Sequence, residues 1–283
     1  VVRGRWVAAG VGAAAGVLGA YALLVEPNLI EVRRHRVHLR DLPSELEGLR
    51  IGLLTDLHAG RLTPTWRIRH AVRRLMASQP HLIAITGDFA DRRRSDFAPA
   101  FDALRGVWAP YGVWAVPGNH DHAAGIDEWH RQMSAAGGIR DLTNRFVILD
   151  IGEARVCLAG VDDLEEGSPE LRLPGPADRD LTILLAHQPD QAERTRRGMD
   201  RVDLVLAGHT HGGQVRMPGV GPVERKSEIY DEGLRRRPWT QVYTSRGVGT
   251  TLLPIRLGAR PEVGLLELTG APREKWSDGA GGG

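Results

Sequence analysis

Five short apolar runs in this chain each end in residues that bind metals. Ile51–Leu54 leads into Asp56-Leu57-His58, and Leu82–Ile85 into Gly87-Asp88. Val113–Val116 leads into Gly118-Asn119-His120-Asp121, Ile183–Ala186 into His187, and Val205–Ala207 into Gly208-His209-Thr210-His211. Each cluster alone has a plain structural explanation: an Asp that caps the next helix, an Asn in a left-handed turn, a His in a turn before Gln-Pro. Together they resist it, because strand ends in an α/β protein are where ligand-binding groups collect. Mixed carboxylate and imidazole donors suit manganese, iron or zinc, whereas calcium and magnesium prefer all-oxygen sites. The donors are too many for one tetrahedral ion. Two ions sharing a carboxylate use them all.

The elements that must position these residues are legible as alternation. Strands are expected at Ile30–Leu39, Leu49–Leu54, Leu82–Ile85 and Val113–Val116, with helices at Pro64–Ser78, Phe97–Val107 and Ile126–Ala136 between or after them. Further strands are expected at Phe146–Ile151, Arg155–Val161, Leu181–Ala186, Val202–Ala207, Gln241–Ser245 and Val263–Leu268. Short apolar strands alternating with amphipathic helices imply an α/β fold.

Composition is that of a folded protein: 283 residues, 42% hydrophobic and 25% charged, with a formal net charge of +2. That charge is too small to argue for nucleic acid, and with 5% aromatics there is no basic, aromatic-interleaved stripe. Neither a nucleic-acid partner nor an obligate protein partner is inferred. Cys157 is the only cysteine, so no intrachain disulfide forms. It lies in an apolar run and reads as a buried strand residue.

From Trp6 to Val25 no residue is charged. The length suits a single membrane-anchoring helix; a cleaved signal ending near Ala20-Tyr21-Ala22 and a buried domain helix are the competing readings. Arg33, Arg34, Arg36 and Arg40 outnumber Arg3 and Arg5, which favours a cytoplasm-facing domain. The expected organisation is an anchor over 1–28, a catalytic domain over 29–272 and a disordered tail over 273–283. The expected location is the bacterial cytoplasmic membrane, through a single pass.

The ordered blocks Asp56-Leu57-His58, Gly87-Asp88-Phe89-Ala90-Asp91, Gly118-Asn119-His120-Asp121, His187 and Gly208-His209-Thr210-His211 resemble the calcineurin-like metallophosphoesterase family. The resemblance covers about Glu26 to Thr269. Glu26-Pro27 with Glu31-Val32, Gly208–Gln214, and Tyr243–Gly247 near Pro254-Ile255-Arg256 resemble its membrane-anchored bacterial branch of YkuE and YaeI type. The resemblance implies a sandwich of two mixed β-sheets flanked by helices, here with an N-terminal transmembrane helix. It implies that Asp56, His58 and His211 hold one divalent ion, that Asn119, His187 and His209 hold a second, and that Asp88 bridges them. Manganese is the first choice of metal, with iron or zinc as alternatives. Two such cations acidify a shared water and clamp phosphoryl oxygens. His120 binds no metal in this family and stabilises or protonates the leaving oxygen, and Asp91 orients it. Asp121 is a supporting candidate, and Arg92 and Arg246 are candidates for substrate phosphate.

The expected activity is hydrolysis of a phosphodiester or pyrophosphate in a lipid- or nucleotide-linked substrate, with UDP-2,3-diacylglucosamine of lipid A synthesis as the specific expectation. A broad cell-envelope phosphodiesterase is the alternative enzyme, and a non-catalytic metal-bound interaction module the alternative from another class. Every ligand and His120 are present, which speaks against the module.

Overall fold

The computed structural model describes residues 2–195, 201–217 and 219–271. In chain order the strands and helices are α1 (Val2–Ala20), β1 (Glu31–Leu39), β2 (Arg50–Leu54), α2 (Thr65–Met76), β3 (Leu82–Thr86), α3 (Phe97–Ala103), β4 (Val113–Val116), α4 (Asn119–Ala136), β5 (Ile139–Asp141), β6 (Arg145–Ile151), β7 (Ala154–Gly160), β8 (Leu181–Leu185), α5 (Gln191–Thr195), β9 (Leu204–Ala207), β10 (Arg216–Met217), β11 (Gly221–Pro222), β12 (Gly233–Arg236), β13 (Gln241–Thr244) and β14 (Glu262–Gly270).

Two six-stranded mixed sheets form, with strand orders β1-β14-β2-β3-β4-β5 and β12-β13-β9-β8-β7-β6. The apolar runs explain the layering. Alternate side chains of a strand point to opposite faces, and these strands are apolar on both. Leu82 and Ala84 of β3 face the second sheet, where they meet a core that includes Leu158, Ile183, Leu206 and Tyr243. Ile83 and Ile85 face the other way, under Ile68 and Leu75 of α2, Phe97 of α3 and Trp129 of α4. On the far side of the second sheet, Cys157, Leu184 and Val205 are covered by Ala192, Val202 and Tyr230. Burial of Cys157 pushes its thiol up to about 11, so it is an inert packing residue.

The expected strands all form, within a few residues at their ends. β5 and β12 escape a sequence reading because each has only three or four residues and lacks an apolar run. Helix α4 begins seven residues earlier than its apolar spacing indicates. The motif residues Asn119, His120 and Asp121 form its first turn, ahead of a non-helical Gly125 at φ 121°.

The single spanning anchor expected at the N-terminus is not found: among the described residues no helix is long and apolar enough to cross a membrane. More than half of α1 is Gly or Ala, and Arg3 and Arg5 lie within it. Such small side chains supply little apolar surface. The winding changes over Tyr21–Val25. From Ala22 onward the segment packs on the domain: the Arg256 N–H donates to the Ala22 carbonyl at 2.9 Å, and the Ala259 N–H to the buried Glu26 carboxylate at 2.9 Å. The tail expected over 273–283 lies outside the described residues.

Candidate metal centre

The carboxyl ends of β2, β3, β4, β8 and β9 lie along one edge of the sandwich and carry the motif residues. Each chain must turn sharply on leaving its strand. Asp56 (φ 50°), His58 (φ 43°), Asp88 (φ 56°), His209 (φ 70°) and His211 (φ 53°) all adopt left-handed backbone. Asp and His tolerate this region better than branched residues, at a cost of roughly 1–3 kcal/mol each. The surrounding loops hold them there. Asp121 does most of this: its buried carboxylate accepts from the N–H groups of Phe89 (2.8 Å), Ala90 (3.2 Å) and Gly118 (3.0 Å). It thereby ties the loop after β3 to the start of α4. Glycine is required at 208, where a Cβ would stand 2.1 Å from Thr55 Oγ1 and 2.3 Å from Asp56 Oδ2.

The donor atoms gather around two poles. At one, His58 Nε2 lies 3.0 Å from His211 Nε2 and 3.9 Å from Asp56 Oδ1, and His211 Nε2 is 3.3 Å from Asp56 Oδ1. At the other, His187 Nε2 lies 3.1 Å from Asn119 Oδ1 and 3.3 Å from His209 Nδ1. Asp88 Oδ2 stands between them, 3.3 Å from His58 Nε2 and 3.2 Å from His187 Nε2. The other faces of the rings are fixed by the protein. His187 Nδ1 donates to the Thr86 carbonyl at 2.7 Å, and His211 Nδ1 is 3.3 Å from the Arg256 guanidinium. His187, its Nδ1 proton held by a carbonyl, therefore turns a free lone pair inward at Nε2, as metal-ligating imidazoles do.

The electrostatics suit cations. Burial holds the His58 and His211 imidazoles well below their usual range, so both are neutral donors. Burial raises the Asp56 carboxyl, against the pull of His187. Burial opposes ionisation of Asp88 too, but the charge and hydrogen bond of His187 overcome it and hold the carboxyl well below its usual range. Reciprocally, Asp88 overcomes burial and pushes His187 up to about 10. A proton between these two offsets the buried negative charge, and a bound cation displaces it. The combinations Asp56–His58–His211, Asp56–Asp88–His187 and His58–Asp88–His120 each bring one ligand atom per residue within 4.8 Å of the others. Buried neutral imidazoles, two carboxylates and an amide oxygen fit a pair of borderline divalent ions.

The chain belongs to the calcineurin-like phosphoesterase family. The family model matches residues 49–213, which contain every one of these donors. The chain is 32% identical over 268 residues to the uncharacterized metallophosphoesterase YkuE of Bacillus subtilis, covering 92% of this chain and 93% of that protein. It is 34% identical over 259 residues to the phosphodiesterase YaeI of Escherichia coli, covering 88% and 92%. A transmembrane protein with metallophosphoesterase domain from Bos taurus is 31% identical over 259 residues, covering 86% of this chain and 57% of its own length. This chain is accordingly a metal-dependent phosphoester hydrolase by family.

Around the metal centre, the phosphoesterase differs from the sequence reading in two places. His120 is half-buried and leans on Asp91, but through the main chain: Nδ1 donates to the Asp91 carbonyl at 2.5 Å, while the carboxylate is 3.9 Å away. The Asp91 carboxylate instead lies 3.8 Å from His58 Nδ1, and both of those buried atoms lack a hydrogen-bond partner in the structure. Arg246 is not a free cation. Its guanidinium binds the buried Glu262 carboxylate at 2.7 Å and Glu31, with Glu232 at 3.5 Å. Arg92 is exposed beside Asp91, whose carboxyl feels its charge.

Glu165 and Asp162 escaped the sequence reading, and Arg256 entered it only within the block Pro254-Ile255-Arg256, without a role. Glu165 lies 3.4 Å from His209 Nε2 and so backs the ring whose Nδ1 faces inward. Nearby, Asp162 binds His122 at 2.7 Å. The signal was present, because β7 ends in Val161-Asp162-Asp163 like the other strands of the set. Arg256 is fully buried and donates to the carbonyls of Arg246 (2.7 Å) and Ala259 (2.9 Å). Burial pushes it down to about 9.

Proposed function

We propose that this phosphoesterase hydrolyses a phosphodiester or pyrophosphate with two divalent ions, manganese first among them, held by Asp56, His58 and His211 and by Asn119, His187 and His209, with Asp88 shared. The observation that carries the proposal is Asp88 Oδ2, within 3.3 Å of both His58 Nε2 and His187 Nε2. When bound, the ions supply positive charge for the phosphoryl oxygens and lower the pKa of the attacking water. His120, fixed through Nδ1, has Nε2 available to give a proton to the leaving oxygen. Asp91 holds that ring with its carbonyl. Arg92, exposed beside Asp91, is the arginine proposed to meet substrate charge.

An amphiphilic, nucleotide-linked pyrophosphate such as UDP-2,3-diacylglucosamine is the specific substrate proposed. Support comes from the loop beside the centre. The Gly249 N–H donates to the Asp56 carbonyl at 2.6 Å, Arg256 touches His211, and between them Leu252 and Leu253 are 62% and 58% exposed. Apolar side chains presented next to a polar centre suit a substrate with both characters. A broad phosphodiesterase is the second reading, favoured by the similarity to the phosphodiesterase YaeI.

The manganese-loaded protein is expected to turn over bis-p-nitrophenyl phosphate and to release UMP and a lipid phosphate from UDP-2,3-diacylglucosamine. Turnover of the first alone supports the broad phosphodiesterase. Turnover of neither leaves a metal-bound interaction module.

A further inference from the structure

The three ligands proposed for one ion are joined by a loop that carries none of them. The chain leaves β7 through Val161-Asp162-Asp163-Leu164-Glu165, and each acidic side chain reaches a different ligand-bearing segment. Asp162 Oδ1 accepts from His122 Nε2 at 2.7 Å, and His122 lies three residues after Asn119 in α4. Asp163 is fully buried and accepts from Gln188 Nε2 at 2.7 Å. Gln188 Oε1 in turn accepts from the Leu164 N–H at 3.0 Å, and Gln188 follows His187 directly. Glu165 Oε1 lies 3.4 Å from His209 Nε2.

The loop is braced to hold these positions. Asp163 Oδ1 accepts from the N–H groups of Glu165 (2.9 Å) and Glu166 (2.8 Å), and Asp162 Oδ2 from that of Ser168 at 2.9 Å. Asn144 Oδ1 pins both ends, accepting from the Asp162 and Glu170 N–H groups, each at 2.9 Å. Among the described residues, none of the loop's hydrogen bonds or ion pairs reaches Asp56, His58 or His211. The grip is one-sided.

Resting on the two-ion phosphoesterase reading, we propose that this loop assembles the Asn119–His187–His209 pole alone. Within it, Glu165 is a positioning residue that keeps the His209 proton at Nε2 and turns the Nδ1 lone pair toward the ion. A carboxylate behind an imidazole fixes its tautomer and orientation and makes it the stronger donor. His209 Nδ1 already stands 3.3 Å from His187 Nε2, so the ring faces its partner ligand. The Glu165 side chain is 53% exposed, so its removal disturbs little packing and the metal responds rather than the fold.

The test is manganese binding to the metal-free full chain, followed by calorimetry, in the wild type, Glu165→Ala and Glu165→Gln. The wild type is expected to bind two ions. Glu165→Ala is expected to weaken one site about 10–100-fold and to leave the other within about twofold. Glu165→Gln, whose amide oxygen still accepts from Nε2, is expected to recover most of the loss, and the melting temperature of the metal-free protein to stay that of the wild type. Equal weakening of both sites, or of neither, overturns the inference. A cycle with His209→Ala tests the route of the effect: once the ring is gone, Glu165→Ala is expected to cost no further affinity. A fully additive loss also overturns the inference. A wild type that binds fewer than two ions counts against the two-ion reading, and the cycle still decides whether Glu165 acts through His209.

Discussion

The imidazole of His120 hangs from the main-chain carbonyl of Asp91, Nδ1 to oxygen at 2.5 Å, with its edge against the ring of His58 at a centroid separation of 4.6 Å. A carbonyl accepts the Nδ1 proton whether the ring is neutral or charged, so the anchor survives a change of protonation at Nε2. The ring can therefore give up and regain a proton without moving.

His120→Asn is expected to retain both metals and lose about 10²–10⁴-fold in kcat, the usual worth of a positioned acid. Metal content by elemental analysis beside steady-state kinetics checks this. Large metal loss in the variant would make His120 a ligand, a role its approach to His58 and Asp88 also permits.

Asp88→Asn removes the one oxygen shared by both poles. Loss of even an outer partner costs about 10–100-fold in metal affinity, so more than ~100-fold is expected here, with activity lost in proportion. A variant that holds two ions as tightly as the wild type contradicts the shared-carboxylate reading.

Gly208→Ala brings a methyl group to 2.1 Å from Thr55 Oγ1 and 2.3 Å from Asp56 Oδ2. The backbone must shift, at about 1–3 kcal/mol, and Asp56 with it. The expected result is a folded protein with circular dichroism like the wild type and weakened metal binding. Wild-type affinity measured by competition with a chelator would show that Asp56 has room to spare.

Arg246→Gln separates its two readings. Glu262 is fully buried and depends on Arg246, so the variant is expected to lose about 3–5 kcal/mol of stability. Urea denaturation checks this. An unchanged midpoint with a raised KM would return Arg246 to the substrate.

His122 and Asp162 give a pH signature. The hydrogen bond that His122 donates to Asp162 raises His122 above 6.5 despite burial. Burial works against Asp162, and His122 with two backbone N–H groups still depresses it below 3.8. The pair therefore stabilises fully between 3.8 and 6.5. Its contribution fades as pH rises through the His122 value, and again in acid as Asp162 protonates. The two side chains are 15% and 14% exposed and solvent still screens the pair, so the effect is on the order of 1 kcal/mol. His122→Gln is expected to lower the melting temperature near pH 5.5 and to match the wild type near pH 9. An equal deficit at both would assign the loss to packing.

Much of this was legible in the sequence because the strands are written as apolar runs and their ends as Asp, Asn or His. Leu82–Thr86 leading into Gly87-Asp88 needs no tertiary information to read. What was not legible depends on contacts across long separations. Glu262 lies 16 residues after Arg246 and Glu31 lies 215 before it, and nothing local says that they neutralise it. The N-terminal segment misleads for a different reason: absence of charge reads as hydrophobicity, and Gly and Ala provide the first without much of the second.

β14 runs between β1 and β2, parallel to the first and antiparallel to the second, although it is the last of the described strands. During synthesis, β2 therefore waits with one open edge until Glu262–Gly270 has left the ribosome. Asp56, at the tip of β2, waits too. The sheet beside Asp56 is thus completed by a pairing of long sequence separation, the kind of contact that forms slowly.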